Sequence, residues 1–345
     1  MKKHIKQCSS IFLFLALSAP VFSLAANGDE EVHKVRTINK SYKVTADDKL
    51  KIENSFGDVV ISTWDKNEIT VDITVGVNAS SEPRAQEIMD QIDVKDDQTG
   101  HDISFKTKVG EIHNGNNEKN RHGSERAFYI DYIVHMPSGN SLKLENSFGK
   151  TEVPDFNGQV DLTSKFGSLS TGKLANVDAI DVEFGRAMIA ELNNGKVVFK
   201  FNKESRIGKV NGNVKISSEF SHNVQFNVGD NIKELSVFES YSGVRMIVTK
   251  SLSAEFDIHT SFGSFHNDSD FSINEQKVDD NEYGPHFDKD YSGKAGDGKA
   301  RIRIKSSFGN VLLSHISGGD KDKVKDKDDD DDKGKDKDKT GDQSA

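Results

Sequence analysis

Cysteine is almost absent. The 345 residues contain one, Cys8, and it lies in the N-terminal leader, so no disulfide framework and no cysteine nucleophile can serve the rest of the chain. Proline is scarce as well, with five residues against 28 Gly and 21 Phe, a balance that suggests repetitive β structure rather than a helical enzyme. Long apolar runs are missing. The stretch "IFLFLALSAPVF" is too short to span a bilayer. It follows the basic "MKKHIKQ" and precedes the small residues of "SLAA", so residues 1–26 read as a secretory signal cleaved near Ala26. A lipoprotein signal places its cysteine after the apolar stretch, whereas Cys8 comes before it, which excludes lipidation. An excess of positive charge is missing too. The leader carries +3 and residues 320–345 carry −3, which leaves −10 of the total −10 on residues 27–319. Nucleic acid is thereby excluded as a partner, because binding it without sequence preference requires cations to replace phosphate counterions.

What the chain does contain is a repeated aromatic corner. "ENSFG" occurs at residues 53–57 and again at 145–149. The aromatic recurs at Phe56, Phe148, Phe166, Phe184, Phe201, Phe220, Phe262 and Phe308, with Tyr241 filling the place once. From Phe148 to Phe262 the spacings are 18, 18, 17, 19, 21 and 21, a period near 20 that marks a stacked repeat.

The flanks of the aromatic fix the pattern. Four residues before it stand Ile52, Leu144, Leu162, Ile180, Val197, Ile216, Val237, Ile258 and Ile304, all aliphatic. Two residues before it stand Asn54, Asn146, Ser164, Val182, Phe199, Ser218, Glu239, Thr260 and Ser306, mostly short and polar. Side chains on a strand alternate with period two, which puts these positions and the aromatic on one inward face. Inward residues follow three and five places after the corner, as in Val59 and Ile61 or Val311 and Leu313. Each repeat is therefore expected to be a strand, a Phe-Gly turn and a second strand. The aromatics would stack as a buried ladder with about 4.8 Å per rung. The inward Asn and Ser would hydrogen-bond the turns and one another. The residue after the aromatic is Gly in six repeats, Asn202 in one, and Ser221 and Ser242 in two. Gly and Asn tolerate positive φ, so this position is expected to carry a left-handed turn.

The corners, the approach "YIVHMPSGNSLKLENSFG" and the closing "ARIRIKSSFGNVLL" resemble the putative adhesin family of bacterial envelope proteins over roughly residues 40–316. The resemblance implies a β-solenoid with a signal peptide and no established enzymatic activity. Fold class is thus expected to be all-β, a solenoid of about nine Phe-Gly-cornered rungs over residues 27–319, with a small α+β insert near the N-terminus.

Two segments break the period. The insert, residues 76–136, contains strand-like alternation and "SSEPRAQEIMDQI", whose Ser followed by an early Pro predicts a short helix. It is expected to cover the N-terminal edge of the stack. Residues 267–298, rich in Asp, Asn and Gly, are expected to form a long loop. The tail, residues 320–345, is a low-complexity Asp/Lys segment that cannot build a core. An EF-hand reading from Asp328 fails, because Lys333 and Lys339 occupy the places of the turn Gly and the closing Glu.

Catalytic signatures are thin. His113 and His122 lie in a loop, and His259 and His266 flank a corner, but none has zinc-site spacing. There is no G-x-S-x-G elbow and no phosphate-cradling Gly loop before a helix. These observations point to no catalytic, cofactor or metal residues. The expectation is a non-enzymatic exported protein of the periplasm or cell surface, acting as adhesin or scaffold, with a cell-surface glycan or envelope protein as partner. Its outward column before the corner would run Ser55, Ser147, Lys165, Glu183, Lys200, Glu219, Ser240, Ser261 and Ser307. One rival is a carbohydrate-active enzyme whose acidic cluster lies in "KVDDNEYGPHFDKDYSGK", at Asp279, Asp280 and Glu282. Another is a periplasmic sensor of envelope stress. Oligomeric state is not legible at this level.

Overall fold

The structure, a computed structural model, describes residues 31–112, 127–276 and 287–315. The signal, the tail, His113, His122, Asp279, Asp280 and Glu282 lie outside these residues. The chain is all-β. It begins with β1 (Val32–Lys43), β2 (Lys49–Ser55), β3 (Val59–Trp64) and β4 (Glu68–Ala79). Helix α1 (Glu82–Asp90) follows, then β5 (Ile92–Thr99), β6 (Asp102–Val109) and β7 (Phe128–Pro137). Next come β8 (Ser141–Ser147), β9 (Lys150–Val153) and β10 (Phe156–Lys165). Four long strands occupy the middle: β11 (Ser168–Glu183), β12 (Arg186–Lys200), β13 (Glu204–Glu219) and β14 (Val224–Ser240). The last part holds β15 (Gly243–Val248), β16 (Ala254–Ser261), β17 (Ser264–Asp268) and β18 (Ser272–Glu275). It closes with β19 (Asp288–Ala295), β20 (Ala300–Ser307) and β21 (Asn310–His315).

Among the described residues all 21 strands join one hydrogen-bonded sheet, whose body is two parallel ladders, with antiparallel pairs of β1 with β4, β4 with β7, β5 with β6, β16 with β19 and β18 with β19 toward its ends. Before the corner the order is β6, β2, β8, β10, β11, β12, β13, β14, β20, β16. After the corner it is β7, β3, β9, β11, β12, β13, β14, β15, β21, β17. Each of β11 to β14 serves both ladders, first as the strand leaving one corner and then as the strand approaching the next. The nine aliphatic residues four places before the corner are all fully buried, and so are the residues two places before it. Period-two alternation thus places the core as expected.

The predicted helix is α1, with Pro83 in its first turn and Ala85, Ile88 and Met89 buried. The insert lies at the N-terminal end of the stack, where β6 pairs with the outer edge of β2 and β7 with that of β3. Two expectations are corrected, and the order of the last rungs is an added finding. Residues 267–298 are not one long loop, because β18 and β19 pair antiparallel and β19 lines the outer edge of β16. The rungs do not stack in chain order, because β20 lies between β14 and β16, which puts the final corner before the one preceding it. The aromatic ladder exists but is not in the core.

Candidate functional site

At every corner the left-handed residue is the aromatic itself. Its φ runs from 49° to 67° over the nine corners, while the Gly that follows is not in the positive-φ region. A left-handed residue swings its Cα–Cβ bond out of the strand's alternation. The ring therefore leaves the inward face and stands partly exposed at the corner between the two ladders. Ring centroids are 4.8–5.3 Å apart from Phe56 to Phe308 and 5.0 Å from Phe308 to Phe262. Phe287 extends the stack at 4.6 Å, and Phe128 meets Phe56 edge-on at the other end. From Phe148 to Phe287 the rings are 39–54% exposed. Each aromatic amide continues the ladder by donating to the next rung, as Phe166 N–H does to the Glu183 carbonyl at 2.9 Å.

The Gly after the ring is required for a different reason. Successive turns approach so closely that a Cβ on Gly149 would lie 1.8 Å from the Gly57 carbonyl oxygen. On Gly167 it would lie 1.9 Å from that of Gly149, and on Gly185 2.2 Å from that of Gly167. Where this position is not Gly, its side chain is buried and wired to its neighbours. Asn202 Oδ1 accepts from Gly185 N–H at 3.0 Å, Ser221 Oγ from Asn202 N–H at 3.1 Å, and Ser242 Oγ from Ser221 N–H at 3.0 Å. This relay ends on a buried carboxylate, Glu239, which accepts from Ser242 N–H at 2.6 Å and from the Ser306 hydroxyl. Burial pushes the Glu239 carboxyl above its ordinary value, and the two hydrogen bonds only partly oppose that.

The inward polar column is hydrogen-bonded toward its two ends, by Asn54 and Asn146 at one and by Ser306 with Glu239 at the other. Asn54 Nδ2 donates to Asn146 Oδ1 at 3.2 Å, and Asn146 Nδ2 donates to the Gly57 and Lys150 carbonyls at 3.1 and 3.2 Å. The hydroxyls of Ser164, Ser218 and Thr260 have no hydrogen-bond partner.

The outward column before the corner is in register from rung to rung: Ser55, Ser147, Lys165, Glu183, Lys200, Glu219, Ser240, Ser307, Ser261. Lys165 and Glu183 form an ion pair at 3.3 Å. On the outer face of the second ladder, Arg206, Gln225 and Arg245 are register neighbours and line a shallow recess of about 450 Å³. Glu204 and Asn310 complete its polar rim. The histidines near the corner pair with carboxylates, His259 with Asp290 at 2.7 Å and His266 with Asp268 at 2.9 Å. Among the described residues no three His, Cys, Asp or Glu side chains gather as a metal set, and no helix is long and apolar enough to cross a membrane.

No family model and no curated protein matches the chain. Solved structures do. A protein from Bacteroides fragilis called a putative adhesin is 11% identical over 81% of this chain and 97% of its own, with a TM-score of 0.31. A putative cell adhesion protein from Clostridium sporogenes is 12% identical over 82% and 100%, with a TM-score of 0.24. A putative lipid binding protein from Parabacteroides distasonis is 11% identical over 80% and 96%, with a TM-score of 0.32. At these scores the likeness carries no argument about what this chain does. Its own surfaces must supply that.

Sequence reasoning missed two features. The exposed ridge was hidden because alternation alone assigns the aromatic to the inward face. Glu239 was visible as the one carboxylate in an otherwise neutral inward column, a departure that could have flagged a buried polar network.

Proposed function

We propose that this chain is a non-enzymatic exported envelope protein, wound as a β-solenoid, that presents a regular outer surface as an adhesin or scaffold to a cell-surface glycan or envelope protein. The observation that carries this reading is the strict rung-to-rung register of the outer rows. It spaces polar side chains at one strand interval along a rigid face, a geometry suited to an extended, repetitive partner. The recess bounded by Arg206, Gln225 and Arg245 offers hydrogen-bond donors of the kind that engage sugar hydroxyls and carboxylates. The adhesin names of the structural neighbours agree with this reading without adding weight to it.

The test is a glycan array together with a pull-down from envelope extracts, using the chain and its Arg206→Ala/Arg245→Ala variant. A retained glycan or envelope protein that the variant loses is the expected result. Turnover of a polysaccharide, abolished by Ala at Asp279, Asp280 or Glu282, would replace this reading with an enzyme. N-terminal sequencing of material from the envelope fraction is expected to begin at Asn27, and an intact Met1 would remove export from the proposal.

A further inference from the structure

We propose that the aromatic ridge is an interface between two copies of this chain, joined antiparallel about a two-fold axis passing between the Phe184 and Phe201 rungs. Ten rings from Phe56 to Phe287 form one stack, roughly 45 Å long at one strand spacing per ring. With nine of them about half exposed, the ridge offers about 900 Å² of aromatic surface. Ordinary monomers expose apolar patches of about 300–600 Å² at most. A standard specific interface buries about 800 Å² on each partner, a size the ridge reaches together with its charged flanks.

The geometry selects the occupant. In the Phe148 to Phe308 part of the stack the rings are parallel to within 6°, so each ring has a neighbour on both faces and presents mainly its edge to solvent. A sugar ring needs an exposed aromatic face. An acyl chain needs a groove, and these rings project from the corners. A second copy, by contrast, carries the same ring spacing and can meet the ridge edge against edge over many rungs.

Charge is complementary in this arrangement. Along the ridge the outward column reads Ser55, Ser147, Lys165, Glu183, then Lys200, Glu219, Ser240, Ser307. A two-fold axis between the fourth and fifth rungs sets Lys165 against Glu219 and Glu183 against Lys200 of the second copy. Each pairing occurs twice, and serines face serines beyond them. On the other flank of the ridge the same axis sets Arg186 against Glu204, which are register neighbours within one chain. A shift of the axis by half a rung puts Glu183 on Glu183 and Arg186 on Arg186, or Lys200 on Lys200 and Glu204 on Glu204. Both flanks thus set opposite charges together about this axis, and like charges penalise an axis displaced by half a rung.

The test is sedimentation of the full-length chain and two charge variants. Lys165→Glu/Lys200→Glu makes the four charged positions acidic, and Glu183→Lys/Glu219→Lys makes them basic. The parent is expected to dimerise at micromolar concentration, and each variant alone to dimerise at least about tenfold more weakly. An equimolar mixture of the two is expected to recover the dimer. A Phe184→Asn/Phe201→Asn variant, with Asn chosen because it tolerates positive φ, is expected to lose the dimer while keeping the parent's strand circular dichroism. A parent that stays monomeric to roughly 100 μM overturns the proposal. So does a mixture that fails to associate although both variants are folded by circular dichroism, or a ridge that instead carries monomeric protein onto phosphatidylcholine vesicles.

Discussion

Replacing Asn202 by Gly tests the corner most sharply, because two accounts of it predict opposite signs. If the residue after the aromatic carried the left-handed conformation, Gly would relieve strain of about 1 kcal/mol there. The left-handed residue is instead Phe201, at φ 55°, and Asn202 is 1% exposed with its side chain turned inward. Its Oδ1 accepts from Gly185 N–H at 3.0 Å, and its Nδ2 donates to the Val182 carbonyl and to Ser205 Oγ, each at 3.2 Å. Removing the side chain cuts three hydrogen bonds at about 1 kcal/mol each and leaves the part-buried Gly185 N–H without this acceptor. The added chain entropy of Gly works in the same direction. The expected loss is about 3 kcal/mol, or about 6 °C in Tm. Urea denaturation followed by far-ultraviolet circular dichroism measures it. A variant as stable as the parent, or more so, would refute the inward-facing relay and return the left-handed conformation to position 202.

Three further outcomes follow from the same geometry. Gly167→Ala is expected to cost at least as much as Asn202→Gly, because its Cβ would lie 1.9 Å from a backbone oxygen that no rotamer can move; equal melting curves for parent and variant would show that the turns are less close. Phe166→Ala is expected to cost about 1–3 kcal/mol, the worth of two ring stacks on a half-exposed side chain, whereas the fully buried Phe199→Ala should cost about 3–5 kcal/mol; the reverse order in urea would put the ladder back in the core. Glu239→Gln is expected to stabilise the protein at neutral pH. Burial raises the carboxyl in the folded state, so its contribution is intact below about pH 4.5 and falls as pH rises through the raised folded value. Melts from pH 4 to pH 8 should show the Gln variant gaining steadily on the parent, and a gap that does not widen with pH would contradict the sign.

Much of this fold was legible in the sequence, because much of it is local. Aliphatic residues four places before each aromatic and small or polar ones two places before it are buried, since side-chain alternation on a strand needs no knowledge of its neighbours. The rung spacing was likewise written in the order of residues, as was α1 in its Ser-x-Pro start. The direction of the corner was not. Alternation holds only while φ stays in the extended region, and one left-handed residue at each aromatic turned a presumed core ladder into an exposed ridge. Close approach between turns, a distance between rungs and not within one, then explained the Gly beside it. The order of the last rungs was equally hidden. Parallel strands with the same alternation are interchangeable as neighbours, so only the assembled sheet decides that β20 enters between β14 and β16. That choice sets Phe308 against Tyr241 and brings Ser306 to Glu239, 67 residues away in the chain, which no local pattern encodes.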